Sequence, residues 1–173
     1  MWWWSLLAAA EPSALDAIRG RWTQVQGLRE EGALYAFELN ANPADRPWAA
    51  VGTYSHVTTC HRSVREEGPY PDPEPILVTV HVSVSAHDEA RTFLYSDAGA
   101  LLFAHATSND NPSWRVYWAD QAVLRVQHAD AVVTSVRASE AASSLQAQGK
   151  AVFETCASTA RATDTWKRLP ALP

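Results

Sequence analysis

Three groups of side chains have the types that do chemistry. The first is His56-x3-Cys60-His61, which has the ingredients of a metal ligand set or a Cys–His nucleophile pair. Val57, Thr58 and Thr59 favour a strand between them. On a strand His56 and Cys60 share a face about 13 Å apart, and His61 points the opposite way. Metal ligands must converge to about 2.0–2.3 Å from one ion. The cluster therefore predicts neither a metal site nor a thiolate nucleophile, and Cys60 reads as a half-buried cysteine in a sheet. The second group is His81, His105 and His128, one on each of three predicted strands. Nothing in their spacing brings them to one point. No metal and no cofactor is expected.

The third group is aromatic. Trp114 and Trp118 share one face of a strand with Val116, while Arg115 and Tyr117 share the other. Exposed aromatics of this kind stack on sugars or peptides. Residues 66–75, EEGPYPDPEP, hold four prolines and four acids in ten positions. Proline has no N–H for a ladder, so an extended, polyproline-like loop is expected there, with Tyr70 at its tip. Tyr70, Trp114, Tyr117 and Trp118 are the candidate ligand-binding residues. The sequence contains no G-x-S-x-G, H-E-x-x-H, paired-carboxylate or EF-hand pattern, and no phosphate-cradling glycine loop. No catalytic residue is assigned. Triads are spatial and need no motif, so a hydrolase stays open as an alternative.

These side chains need a scaffold, and the periodicity describes one. Ser13 and Asp16 form a cap-like Ser-x-x-Asp, and Leu15, Ile18, Trp22 and Val25 recur on one helical face. Gly20 costs about 1 kcal/mol inside a helix, so either the helix continues or it ends there and Trp22 opens a strand. The period then becomes two. Strands are expected over 33–39, 48–59, 76–85, 91–95, 100–107, 113–119 and 122–128. Ile76, Val78, Val80, Val82 and Val84 alternate strictly with Leu77, Thr79, His81, Ser83 and Ser85 and predict a core face. The gaps between strands are short, as antiparallel neighbours require. A last helix is expected over 139–155, with Ala142, Leu145, Val152, Phe153 and Cys156 on its apolar face.

The chain has 173 residues, enough for one domain with a core of its own. A net charge of -5 argues against a nucleic-acid protein. No apolar run is long enough to span a membrane as a helix. The bias to arginine and alanine fits a GC-rich bacterial coding sequence. Residues 1–10, MWWWSLLAAA, read as a signal-peptide remnant ending in an A-x-A pattern. Export would place the two cysteines, Cys60 and Cys156, in an oxidising compartment, where a disulfide between them is expected. Residues 11–160 then form a single domain and 161–173 a loosely attached tail.

One repeat is visible. The segment beginning Arg91-Thr-Phe can be laid over the one beginning Arg115-Val-Tyr, each reading Arg-x-aromatic, a turn with an Asp, then an apolar strand. This R-x-[FY]-x-x-x-D-x-G-x-L pattern resembles that of a group of secreted bacterial proteins built from successive hairpins. Leu94 and Trp118 depart from that pattern, and the second turn lacks its glycine. The resemblance implies a meander between two helices and carries no activity. Gly20-Arg21-Trp22 is similar to the G-x-W motif of lipocalins, which implies instead a closed barrel carrying a small apolar ligand.

The expected fold is α+β: an antiparallel β-meander of six to eight strands, open or as a half-open barrel, with both terminal helices on one face. The expected function is a non-enzymatic, secreted or periplasmic binding or interaction module. Its partner would be a protein or a small molecule.

Overall fold

The computed structural model describes residues 13–42, 46–47, 52, 54–63 and 71–164. Residues 1–10, Trp48 and Tyr70 lie outside the described residues. Helix α1 spans Ala14–Glu30. The Ser13 hydroxyl caps it by accepting from the Asp16 N–H at 3.2 Å. Gly20 does not end it, because Ile18 and Val25 are buried in one apolar stripe, and packing of that stripe outweighs a poor propensity. Trp22 is thus helical.

Among the described residues eight strands follow: β1 (Tyr35–Asn40), β2 (Tyr54–Arg62), β3 (Leu77–Val84), β4 (His87–Tyr95), β5 (Leu101–Ser108), β6 (Trp114–Ala119), β7 (Ala122–His128) and β8 (Ala131–Val132). They form one antiparallel sheet in sequence order, the expected meander. The β6–β7 turn has positive φ at both Asp120 and Gln121, the condition for a two-residue hairpin whose twist matches its strands. Helix α2 (Val136–Thr163) closes the fold.

The sheet is buried on both sides. On one face α2 covers Val78, Phe93, Tyr95, Val116, Trp118 and Val126. On the other, α1 covers Leu77, Leu94, Phe103 and Tyr117. Neighbouring residues such as Leu77 and Val78 point to opposite faces, so the helices lie on opposite sides of the sheet. The expectation that both pack on one face is corrected. Val78 and Val80 of the predicted core row are buried under α2, whereas Val82 and Val84, nearer the strand end, are half-buried.

Helix α2 begins three residues earlier and ends eight residues later than its large apolar residues implied. Ala157 and Ala160 are fully buried, and small residues give a weak periodic signal. Residues 161–164, expected in the tail, are anchored: Arg161 pairs with Glu74 at 2.8 Å and Arg62 reaches Asp164 at 3.5 Å. The Cys60–Cys156 disulfide joins β2 to α2 across 96 residues, with the Cα atoms 5.9 Å apart.

Two further expectations change. β1 and β8 are the unjoined ends of the sheet, so the closed barrel implied by G-x-W is not formed. The described half of the proline-rich segment is not a free loop. Pro75 and Ile76 are buried, and the Asp72 N–H donates to the Ser63 carbonyl at 3.0 Å. The two repeated hairpins also differ in orientation. Phe93 faces α2, whereas Tyr117, its counterpart in the repeat, faces α1.

Candidate ligand-binding site

The candidate ligand-binding residues do not form one surface. Trp118 is 1% exposed and lies in the core under α2, so no ligand can stack on it. Tryptophan is large enough to fill that core by itself, which is why an alternating strand put it there. Trp114 is half-buried on the same face and stacks on His128 with ring centroids 4.3 Å apart. It also lines a shallow depression with His87, Glu89 and Arg137. Tyr117 lies on the other face and borders a cleft between α1 and the sheet.

That cleft has a volume of about 360 Å³. Its walls are Ile18, Arg19 and Trp22 from α1, Phe103 and His105 from β5, and Arg115 and Tyr117 from β6. The β5–β6 register places Phe103 opposite Tyr117 and His105 opposite Arg115. Phe103 organises the rings. Trp22 meets it edge-on at 5.2 Å, and Tyr117 is tilted against it at 4.9 Å. His105 lies nearly parallel to it at 6.5 Å. Such ring pairs add about 0.5–1.5 kcal/mol beyond burial, so the aromatic wall is preformed.

Three polar groups stand against that wall. Burial, and then the neighbouring Arg115 guanidinium, lower the pKa of His105 below its ordinary 6.5. Its imidazole is therefore neutral at physiological pH, with one ring nitrogen a donor and the other an acceptor. His105 Nε2 is buried and, among the described residues, has no hydrogen-bond partner. Among the described residues Arg115 reaches only Asp130, at 3.7 Å, and that carboxylate is almost fully exposed. Arg19 pairs with the exposed Asp16 at 3.5 Å. Both are loose surface pairs of little net worth, free to exchange partners.

A larger hollow of about 740 Å³ lies between α2 and the β4–β5 turn. It offers one cation and one anion, Lys150 and Glu154, and no buried polar group without a partner. The α1 cleft is the better chemical site, because two loosely paired guanidiniums stand beside its preformed aromatic wall.

The histidines do not converge. His81 and His105 share the α1 face on strands separated by β4, while His128 stands with Trp114 on the α2 face. His61 faces the α1 side and Cys60 the α2 side, as alternation required. Both cysteines are in the disulfide, so neither offers a thiolate. Among the described residues no group of three or more His, Cys, Asp or Glu could hold a metal ion. None of the described helices is long and apolar enough to cross a membrane.

Sequence reasoning had not joined Phe103, His105, Arg115 and Arg19 into a site. Part of the signal was present. The polar gap 108–112 centres on Asp110, and an antiparallel hairpin pairs residues equidistant from its centre. That rule puts Phe103 opposite Tyr117 and His105 opposite Arg115, as found. Comparison of the chain with protein-family models, curated proteins and solved structures finds no match in any of the three.

Proposed function

We propose that the protein is a non-enzymatic extracytoplasmic binding module that holds its ligand in the cleft between α1 and the sheet. The ligand carries a flat apolar surface and an anionic group. The observation carrying this reading is the pair of loosely held guanidiniums, Arg115 and Arg19, beside the aromatic wall of the same cleft. The rings of Trp22, Phe103 and Tyr117 suit the flat surface, and Arg115 and Arg19 suit the anion. The Cys60–Cys156 disulfide supports an oxidising compartment, as does the resemblance of the hairpins to those of secreted bacterial proteins.

Benzoate and benzylamine are suitable probes, being alike in shape and opposite in charge. Titrated into isotope-labelled protein, benzoate should shift the resonances of Trp22, His105, Arg115 and Tyr117, and benzylamine should shift them less. Arg115→Ala should remove the benzoate response. Shifts centred on Lys150 and Phe153, or equal responses to both probes, would refute the reading.

A further inference from the structure

Helix α1 covers only part of its side of the sheet. Next to the covered row, the strand registers line up Glu38, Thr59, Thr79, Thr92, His105, Arg115 and Gln127 on seven adjacent strands. Thr79 stands two residues from Leu77, Thr92 two from Leu94 and His105 two from Phe103, so the row shares the α1 face. At about 4.8 Å between strands it spans roughly 29 Å. Glu38 is exposed and the other six are half-buried.

The row is polar throughout and weakly satisfied. Thr59 donates to Glu38 at 3.4 Å. Among the described residues the hydroxyls of Thr79 and Thr92 have no partner, and neither has His105 Nε2. On its outer side the row is flanked by Val57, His81, Ala90 and Thr107 on adjacent strands. Arg115 and Arg125 are diagonal neighbours on one face, with Arg19 across the cleft, while Glu38 marks the far end, where Arg29 of α1 acts on the neighbouring His61.

We infer that this row is a track for an extended oligosaccharide whose acidic sugar sits at the Arg115 end, in the cleft. The inference rests on the proposed cleft and adds its ligand class. A line of hydroxyls across the sheet meets the hydroxyls of successive sugar rings. The aromatic wall of Trp22, Phe103 and Tyr117 takes an apolar ring face. The guanidiniums take a carboxylate. An extended peptide would seek free backbone groups at a sheet edge, and this row lies across the middle. A nucleic acid carries a phosphate on every unit and needs cations along its whole path, whereas the central part of this path is neutral.

The test is calorimetric titration of the full chain with hyaluronan hexasaccharide and an oligogalacturonate hexamer. Neutral chitohexaose, a polyglutamate peptide and a short single-stranded DNA are the comparisons. At least one acidic hexasaccharide should bind more tightly than all three comparisons. Thr79→Val with Thr92→Val, which suits a strand and preserves volume, should weaken that binding by roughly tenfold. The same pair should leave benzoate binding and thermal stability unchanged. Arg115→Ala should abolish both ligands. Benzoate binding without either acidic hexasaccharide overturns the track and leaves the cleft standing. Loss of both ligands from the unmodified protein overturns both. Preference for the peptide or the DNA, or indifference to the threonine pair, also overturns the track.

Discussion

The Tyr95 hydroxyl donates a 2.7 Å hydrogen bond to the carbonyl oxygen of Gly149, inside the interface between β4 and α2. The bond needs the helix backbone close to the sheet, and glycine permits that approach. A Cβ at Gly149 would stand 3.0 Å from Leu101 Cδ2 and 3.1 Å from Phe93 Cδ1. Burial raises the Tyr95 pKa above its ordinary value, so the phenol stays protonated and remains a donor. Gly149→Val should destabilise the fold by about 1–3 kcal/mol through overpacking. Tyr95→Phe should lose about 1 kcal/mol. Urea unfolding with an unchanged m-value checks both.

The disulfide should contribute more than any single contact. In the chain-entropy model, closing a loop of this size stabilises by about 4.7 kcal/mol. Cys60→Ala with Cys156→Ala should therefore lower the denaturation midpoint sharply. Thiol titration of the unfolded, unreduced protein should find no free sulfhydryl. A full complement of free thiols in protein taken from its native compartment would contradict the bridge.

Leu77 and Val78 are adjacent and both fully buried, one under each helix. Leu77→Asp and Val78→Asp should each unfold the domain, because an unpaired buried carboxylate costs as much as the fold has to spare. Thr79→Asp, on the half-buried polar row, should be tolerated far better than either. Circular dichroism of the three variants separates a sheet covered on both sides at this point from one covered on a single side.

Two imidazoles predict the pH dependence of stability. His105 is lowered by burial and by Arg115. His61 is lowered by burial and by Arg29, with Glu38 opposing. Between their lowered folded values and the ordinary 6.5, the unfolded chain binds more protons than the folded one. Stability from these groups is therefore complete above that window and is lost as pH falls through it. Urea midpoints at about pH 7.5 and about pH 5.5 should differ less in His61→Gln with His105→Gln than in the parent.

Much of this architecture was legible in order along the chain. The alternation of the β-branched row Ile76–Val84 with Leu77, Thr79, His81 and Ser83 marked a strand, because successive side chains of an extended backbone must point to opposite sides. The short polar gaps marked antiparallel neighbours, because a parallel crossover has no room in them. With two cysteines there was one possible intramolecular disulfide. All of these are local constraints. The placement of the helices was not local. Leu77 beside Val78 and Tyr117 beside Val116 provide apolar surface on both faces, and alternation by itself does not say which helix covers which. Tertiary packing decided that α1 lies over Leu77, Leu94 and Phe103 and stops short of Thr79, Thr92 and His105. The cleft exists because of that boundary. It is made by residues from α1, β5 and β6, which meet only when long-range burial brings the helix down on the sheet.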